Sequence, residues 1–274
     1  MSHLAQAVAA NTVAINIGGI PIGLRSDDPA FRQMLEERYS GFLFEGGLPD
    51  DGPGLHFDVH LVSPGELQAD EEVRVWRDEH WHFQRGDFRA DWDEQSGRGR
   101  MYLELNPYAL NSILRIVHTL ILARRGGFLL HAASVIRNGS AYIFSGVSGA
   151  GKTTISRLAP CDLPLLTDEI SYVRRTGSGY TAWGTPFYGE LGRAGENVSA
   201  PIQTLYFLNK GPENRIDAIE PARAVRMLLR NILFFSQDST LVHRVFESAC
   251  QFVDRMPVRE LTFVPDARVW ELVA

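Results

Sequence analysis

Phe128-Leu129-Leu130-His131-Ala132-Ala133-Ser134-Val135-Ile136, Asn138-Gly139, Ala141-Tyr142-Ile143-Phe144-Ser145 and Gly146-Val147-Ser148-Gly149-Ala150-Gly151-Lys152-Thr153 follow one another in a single run. The two apolar segments read as strands, and Asn-Gly between two such runs is the strongest short-range hairpin signal. The last eight residues fit G-x-x-x-x-G-K-[ST] at every fixed position. Glycines in such a loop let consecutive backbone N–H groups turn inward around an anion, and the helix that follows adds partial positive charge. Lys152 can then reach the β and γ phosphates, and the Thr153 hydroxyl can bind Mg²⁺. A chance glycine-rich turn before a helix is the competing reading. The preceding strand and the helix that Thr153 to Ala159 can begin both argue against it.

Downstream, Pro160 and Pro164 keep that helix short, and the chain returns as Leu165-Leu166-Thr167-Asp168-Glu169-Ile170-Ser171-Tyr172-Val173. The acidic pair stands 168 − 152 = 16 residues after the lysine. Phosphoryl transfer needs a carboxylate to hold Mg²⁺, and a second can accept the proton of an attacking hydroxyl. Neighbours on one strand point to opposite sides, so Asp168 and Glu169 are expected to divide the labour. A solvated strand end is the alternative. Trp183-Gly184-Thr185-Pro186-Phe187-Tyr188-Gly189-Glu190 is turn-rich and ends in an acid. Glu190 is a candidate metal or substrate ligand, with a plain surface-loop acid as the competing reading. Arg193, Lys210 and Arg215 are expected in loops beyond it, where they could neutralise phosphates, although a solvated charge is the favoured reading of each.

Working outward, Asn106-Pro107 reads as a helix start, and Leu110, Ile113, Leu114, Val117, Leu120 and Ile121 recur at helical spacing up to Gly126-Gly127. Before it, Val13 to Ile17, Leu55 to Val62, Val73 to Trp76, His80 to Gln84, Phe88 to Trp92 and Arg100 to Leu105 read as strands. Gly18-Gly19, Pro49 to Gly54 and Ser96 to Gly99 separate them, and one helix is expected from Pro29 to Tyr39. Residues 1–106 are therefore expected to form a small antiparallel, β-rich domain and residues 107–274 a second domain. Helices are expected over Ala222 to Phe235 and Thr240 to Arg255, then a strand over Val258 to Val264. His56 with His60, and His80 with His82, would each share a strand face. No cysteine or carboxylate set completes a zinc site around them, so an ordinary half-polar sheet face is favoured.

Composition removes several classes. There are 27 Lys plus Arg against 33 Asp plus Glu, a net charge of −6, with no basic stripe, so a nucleic-acid partner is not expected. The most apolar stretch, Ile113 to Ala123, carries Arg115 and His118 and is much shorter than the roughly 20 residues of a membrane span. The first residues lack a basic n-region, which argues against a signal peptide and for the cytoplasm. Cys161 and Cys250 are too few for a disulfide scaffold and are expected to be reduced and structural.

Leu130 to Val135, the loop Gly146 to Thr153 and Leu166 to Val173 together resemble HPr kinase/phosphorylase and its shorter relatives, including the kinases of lasso peptides. The resemblance covers roughly Phe128 to Val173 with good specificity, and the remainder weakly. It implies an α/β fold: a P-loop kinase core of the HPr kinase / phosphoenolpyruvate carboxykinase type behind a small β-rich N-terminal domain. ATP and Mg²⁺ are the implied cofactors. Nucleotide would be held by Gly146, Ser148, Gly149, Ala150, Gly151, Lys152, Thr153 and Thr154, and metal by Thr153, Glu169 and Glu190. Asp168 is the implied general base, His131 would lie beside the transferring phosphate, and Lys152 completes the catalytic set. From sequence alone, a histidine in an apolar strand reads instead as a hydrogen-bonded core residue. Glu169 stands where the family usually has a second aspartate, and the family's Arg-containing signature around its metal-site glutamate is missing. That absence argues against HPr as substrate. The expected activity is transfer of a phosphoryl group to a hydroxyl, a serine of a peptide or protein such as a ribosomally made natural-product peptide. A kinase of a small hydroxylated metabolite and a non-catalytic ATP-sensing module are the alternatives. Homo-oligomerisation, a reverse activity and the choice of Asp168 or Glu169 as base stay open.

Overall fold

The computed structural model describes residues 12–44, 48, 54–67, 70–177 and 179–273. Two compact units are resolved, one reaching to Val117 and including Phe235–Asp238, the other formed by His118–Phe234 and Ser239–Ala274.

In the first unit, seven strands form one sheet, and several alternate buried and less buried side chains at the period a half-buried sheet requires. They are β1 (Thr12–Ile17), β2 (Ile20–Arg25), β3 (Leu55–Leu61), β4 (Arg74–Arg77), β5 (Trp81–Arg85), β6 (Phe88–Asp93) and β7 (Arg98–Leu103), in the order β1-β2-β3-β7-β6-β5-β4. Phe57, Val59, Trp81, Phe83, Phe88, Trp92, Met101 and Leu103 are buried. Gly18 and Gly19, at φ +62 and +73, form a two-residue turn. They join β1 to β2, a strand that residues 20–25 do not signal by apolar–polar alternation. The sheet is mixed rather than antiparallel throughout, because β2–β3 and β3–β7 pair in parallel. Helix α1 (Pro29–Arg38) lies in the connection between β2 and β3, the kind of crossover that parallel pairing needs. The turn read over Pro49 to Pro53 lies outside the described residues. The two units divide within helix α2 (Pro107–Arg125), the helix that the sequence opens at Asn106. Asn106 Oδ1 caps it by accepting from Tyr108 N–H at 2.9 Å.

The second unit contains β8 (Phe128–Arg137), β9 (Ser140–Ser145), α3 (Lys152–Arg157), β10 (Leu165–Thr167), β11 (Ile170–Thr176), β12 (Gly179–Trp183), β13 (Ser199–Lys210), β14 (Arg215–Ala218), α4 (Pro221–Leu229), β15 (Ile232–Leu233), α5 (Ser239–Arg255), β16 (Val258–Phe263) and α6 (Val269–Leu272). The β8–β9 hairpin turns through Asn138 (φ +52) and Gly139 (φ +76) as the Asn-Gly signal predicts. Strand β8 changes partner midway, with Phe128 to His131 pairing β11 and Ala132 to Arg137 pairing β9. Strand β13 does the same, with Ser199 to Pro201 on β12 and Ile202 to Phe207 parallel to β9. The hydrogen-bonded order β8-β11-β12-β13-β9 thus returns to β8. One core, including Leu130, Ile143, Phe207, Leu228 and Phe252, takes in helices α4 and α5. A second, including Val135, Phe144, Ile155, Phe263 and Trp270, takes in α3 and α6. Each such large apolar side chain contributes roughly 1.5–3 kcal/mol on burial.

Several expectations need correction. The helix expected over Ala222 to Phe235 ends at Leu229, because Ile232 and Leu233 pair with Leu130 and Leu129 of β8, and the ladder wins over local helical periodicity. Lys210 ends β13 and Arg215 begins β14, so neither sits in a loop. Cys161 is a free, exposed thiol rather than a structural one. Among the described residues no helix is long and apolar enough to cross a membrane.

Candidate functional site

The glycine-rich loop leaves β9 and enters α3. Gly149 (φ +77) and Gly151 (φ +112) take backbone conformations that side chains disfavour, and a Cβ on Gly151 would come within 2.7 Å of the Phe263 ring. Among the described residues, the Gly149 and Gly151 amides find no acceptor within the chain. Helix α3 spans only six residues, so its dipole is small. Lys152 Nζ donates to the carbonyls of Gly146 (2.9 Å) and Val147 (3.2 Å). Burial lowers the Lys152 pKa, and the nearby Glu169 carboxylate opposes that shift.

The acidic pair is set by a local break in the strand. Thr167 Oγ1 accepts from the amides of Glu169 and Ile170, both at 3.1 Å, and donates to the Phe187 carbonyl at 3.1 Å. This side-chain turn competes with the ladder and separates β10 from β11. Asp168 and Glu169 therefore line the same cleft rather than opposite faces of a continuous strand, which corrects the geometry expected of them. Asp168 is buried, 3% exposed. Its Oδ1 accepts from Gly189 N–H at 3.0 Å and its Oδ2 from Leu191 N–H at 2.9 Å. Gly189 has no side chain where a Cβ would lie 3.3 Å from Asp168 Oδ2 and 3.4 Å from Glu169 Oε2. The surrounding segment is fixed by Thr185 N–H to the Leu166 carbonyl (3.0 Å) and Glu196 N–H to the Leu165 carbonyl (2.8 Å). Asp168 thus holds the stretch that carries Glu190.

These pieces meet in one cleft of about 370 Å³, lined by His131, Ser148, Gly149, Gly151, Lys152, Thr153, Thr154, Asp168, Glu169, Gly189, Glu190 and Lys210. Gly146 and Ala150 shape the loop from behind, and Ala150 belongs to the core around Phe144. His131 lies where β8 changes partner and is half-buried between buried neighbours. Lys210, read from sequence as a solvated charge, reaches the cleft from the end of β13. Arg193 lines a different cavity. Arg215 is exposed and pairs with Glu213 (3.1 Å) and Asp217 (2.7 Å). The Gly189 and Leu191 amides escaped the sequence reading. Glycine beside Glu190 in a turn-rich segment was the only available signal.

No group of three or more His, Cys, Asp or Glu side chains among the described residues could cage a metal ion. In the first unit His60 stacks on Tyr102, and His82 Nε2 lies 3.0 Å from Asp78 Oδ1. The oxygen donors in the cleft, Thr153, Glu169 and Glu190, suit a hard cation that is held by one or two carboxylates and completes its shell with phosphate and water. The donor set therefore fits Mg²⁺. The family described as SynChlorMet cassette protein ScmC matches residues 104–274, well over half of the chain. No curated protein matches it.

Proposed function

We propose that this chain, which belongs to the ScmC family of SynChlorMet cassette proteins, is an ATP-dependent phosphotransferase acting on a hydroxyl, a serine of a peptide or protein. The observation that carries the reading is the meeting in one cleft of the phosphate-loop lysine, the acidic pair at the Thr167 break and Glu190. On this reading the second unit is a P-loop kinase core of the HPr kinase / phosphoenolpyruvate carboxykinase type. The site is built with catalytic residues Asp168, His131 and Lys152.

The loop amides, Ser148, Thr153 and Thr154 bind the phosphates of ATP. Lys152 leaves the Gly146 and Val147 carbonyls to pair with the β and γ phosphates, offsetting charge that develops on the leaving group. His131 and Lys210 line the same cleft and add donors for the equatorial oxygens. Thr153, Glu169 and Glu190 would hold Mg²⁺, whose charge neutralises that of the phosphates. The acceptor oxygen attacks the γ-phosphorus, the bond to the β–γ bridging oxygen breaks, and ADP leaves. Asp168 accepts the hydroxyl proton. Its two amide bonds fix its orientation, and each carboxylate oxygen keeps a further lone pair for that proton.

A cassette protein fits an acceptor encoded alongside it. The test is mass spectrometry of peptides encoded beside this gene after incubation with ATP and Mg²⁺. A phosphoryl group on a serine or threonine is expected. Saturable ATP binding with no phosphorylated product and no ADP would overturn the kinase reading in favour of an ATP sensor.

A further inference from the structure

The two segments that wall the cleft also wall a second cavity, of about 290 Å³. Helix α3 gives Thr153 and Thr154 to the cleft but Ser156 and Arg157 to the cavity. The stretch after β12 gives Gly189 and Glu190 to the cleft but Leu191 and Arg193 to the cavity. Its apolar wall is formed by Val135, Leu163, Leu165 and Leu191. Among the described residues, the side chains of Arg157 and Arg193 are both exposed, and neither makes an ion pair or hydrogen bond. Two guanidinium groups thus line one cavity, and guanidinium is the side chain best matched to a carboxylate.

We propose that this cavity seats the acidic flank of the acceptor. A carboxylate a few residues from the reacting hydroxyl sits on Arg157 and Arg193, and an apolar neighbour rests against Leu163 and Leu165. An extended peptide advances at most about 3.3–3.6 Å per residue, so a short segment crosses the shared wall. Seating also bears on the reaction site, because Leu191, which lines the cavity, donates its amide to Asp168 Oδ2. This inference rests on the kinase reading and adds the class of acceptor.

The test uses a library of serine peptides carrying one Asp at each flanking position in turn. The wild type is expected to prefer Asp at one fixed offset. Arg157→Ala and Arg193→Ala are each expected to raise KM for that peptide about tenfold or more, to leave KM for ATP unchanged, and to have no further effect on the peptide in which Asp is replaced by Asn. Indifference to the position of Asp, or an equal effect on the Asn peptide, overturns the proposal. A second readout needs no turnover. Cys161 lines the cavity and is exposed, so its alkylation by iodoacetamide, read peptide by peptide to separate it from Cys250, should slow with the Asp peptide in the wild type but not in the arginine variants. Citrate and inorganic phosphate run alongside. Protection by these and not by the Asp peptide assigns the cavity to a free small anion and overturns the acceptor role. Protection by the Asp peptide without any phosphoryl transfer overturns the kinase reading and leaves the carboxylate site standing. No protection by any probe overturns the site itself.

Discussion

Replacing Asp168 by Asn should loosen the stretch that carries Glu190 as well as remove a proton acceptor. The carboxylate takes one amide hydrogen on each oxygen, from Gly189 at 3.0 Å and Leu191 at 2.9 Å. Asparagine keeps one acceptor oxygen and presents an N–H₂ donor to the other amide, so one charge-assisted bond becomes a donor facing a donor. The Asp168 side chain is buried, where an unmatched donor is costly. A hydrogen bond to a charged group contributes about 1.5–3 kcal/mol. At roughly 2–4 °C per kcal/mol for a domain of this size, Asp168→Asn should lower Tm by about 3–12 °C. Thermal denaturation measures that change, and amide hydrogen exchange at Gly189 and Leu191 should accelerate. A Tm within about 1 °C of wild type with unchanged exchange at both amides would refute the anchoring role and leave Glu190 positioned by something else.

Lys152→Ala should weaken binding of ATP with Mg²⁺ by about tenfold to a hundredfold, read by titration calorimetry, because a charged donor to phosphate is lost. Its two present acceptors are loop carbonyls, and unchanged affinity would remove the lysine from the phosphate site. Gly151→Ala should cost about 1–3 kcal/mol, since φ +112 strains any side chain and the new Cβ meets the Phe263 ring at 2.7 Å. Adding Phe263→Leu should restore part of the loss seen in chemical denaturation, and an unchanged midpoint for Gly151→Ala alone would contradict the strain. Stability should also fall in acid through His118. It is buried, with Nδ1 3.2 Å from the Tyr172 hydroxyl. Burial first, then Arg125, lowers its pKa to about 3. The unfolded chain takes up this proton below about pH 6.5 and the folded chain does not, so the contribution is complete above that pH and is lost progressively toward pH 3. His118→Phe should flatten this limb in pH-dependent denaturation, and an unaltered slope would refute the assignment.

The parts of the fold carried by local chemistry were legible. The hairpin at Asn138-Gly139, the cap at Asn106 and the glycine-rich loop each depend on a few adjacent residues, and the structure has them where they were read. What escaped depends on distant partners. Strand β13, the longest among the described residues at twelve residues, joins β12, β9 and β16, and Pro201 near its start masks it because proline interrupts a ladder. Ile232 and Leu233 have helical periodicity but are claimed by β8. The acidic pair shows the same limit within the site. Its residues were legible, but the Thr167 turn that brings both into one cleft, and the amides of Gly189 and Leu191 that hold Asp168, exist only once segments some twenty positions apart have met.

On the proposed reading, the cleft between the glycine-rich loop and Glu190 transfers a phosphoryl group. ATP radiolabelled on its γ-phosphate, mixed in a single turnover with protein, Mg²⁺ and the peptides encoded beside this gene, tests it most directly. Label is expected on a peptide serine or threonine as ADP forms in equal amount, and Lys152→Ala should abolish both. Label that stays on ATP with every peptide, or that transfers equally well with Lys152→Ala, would contradict it.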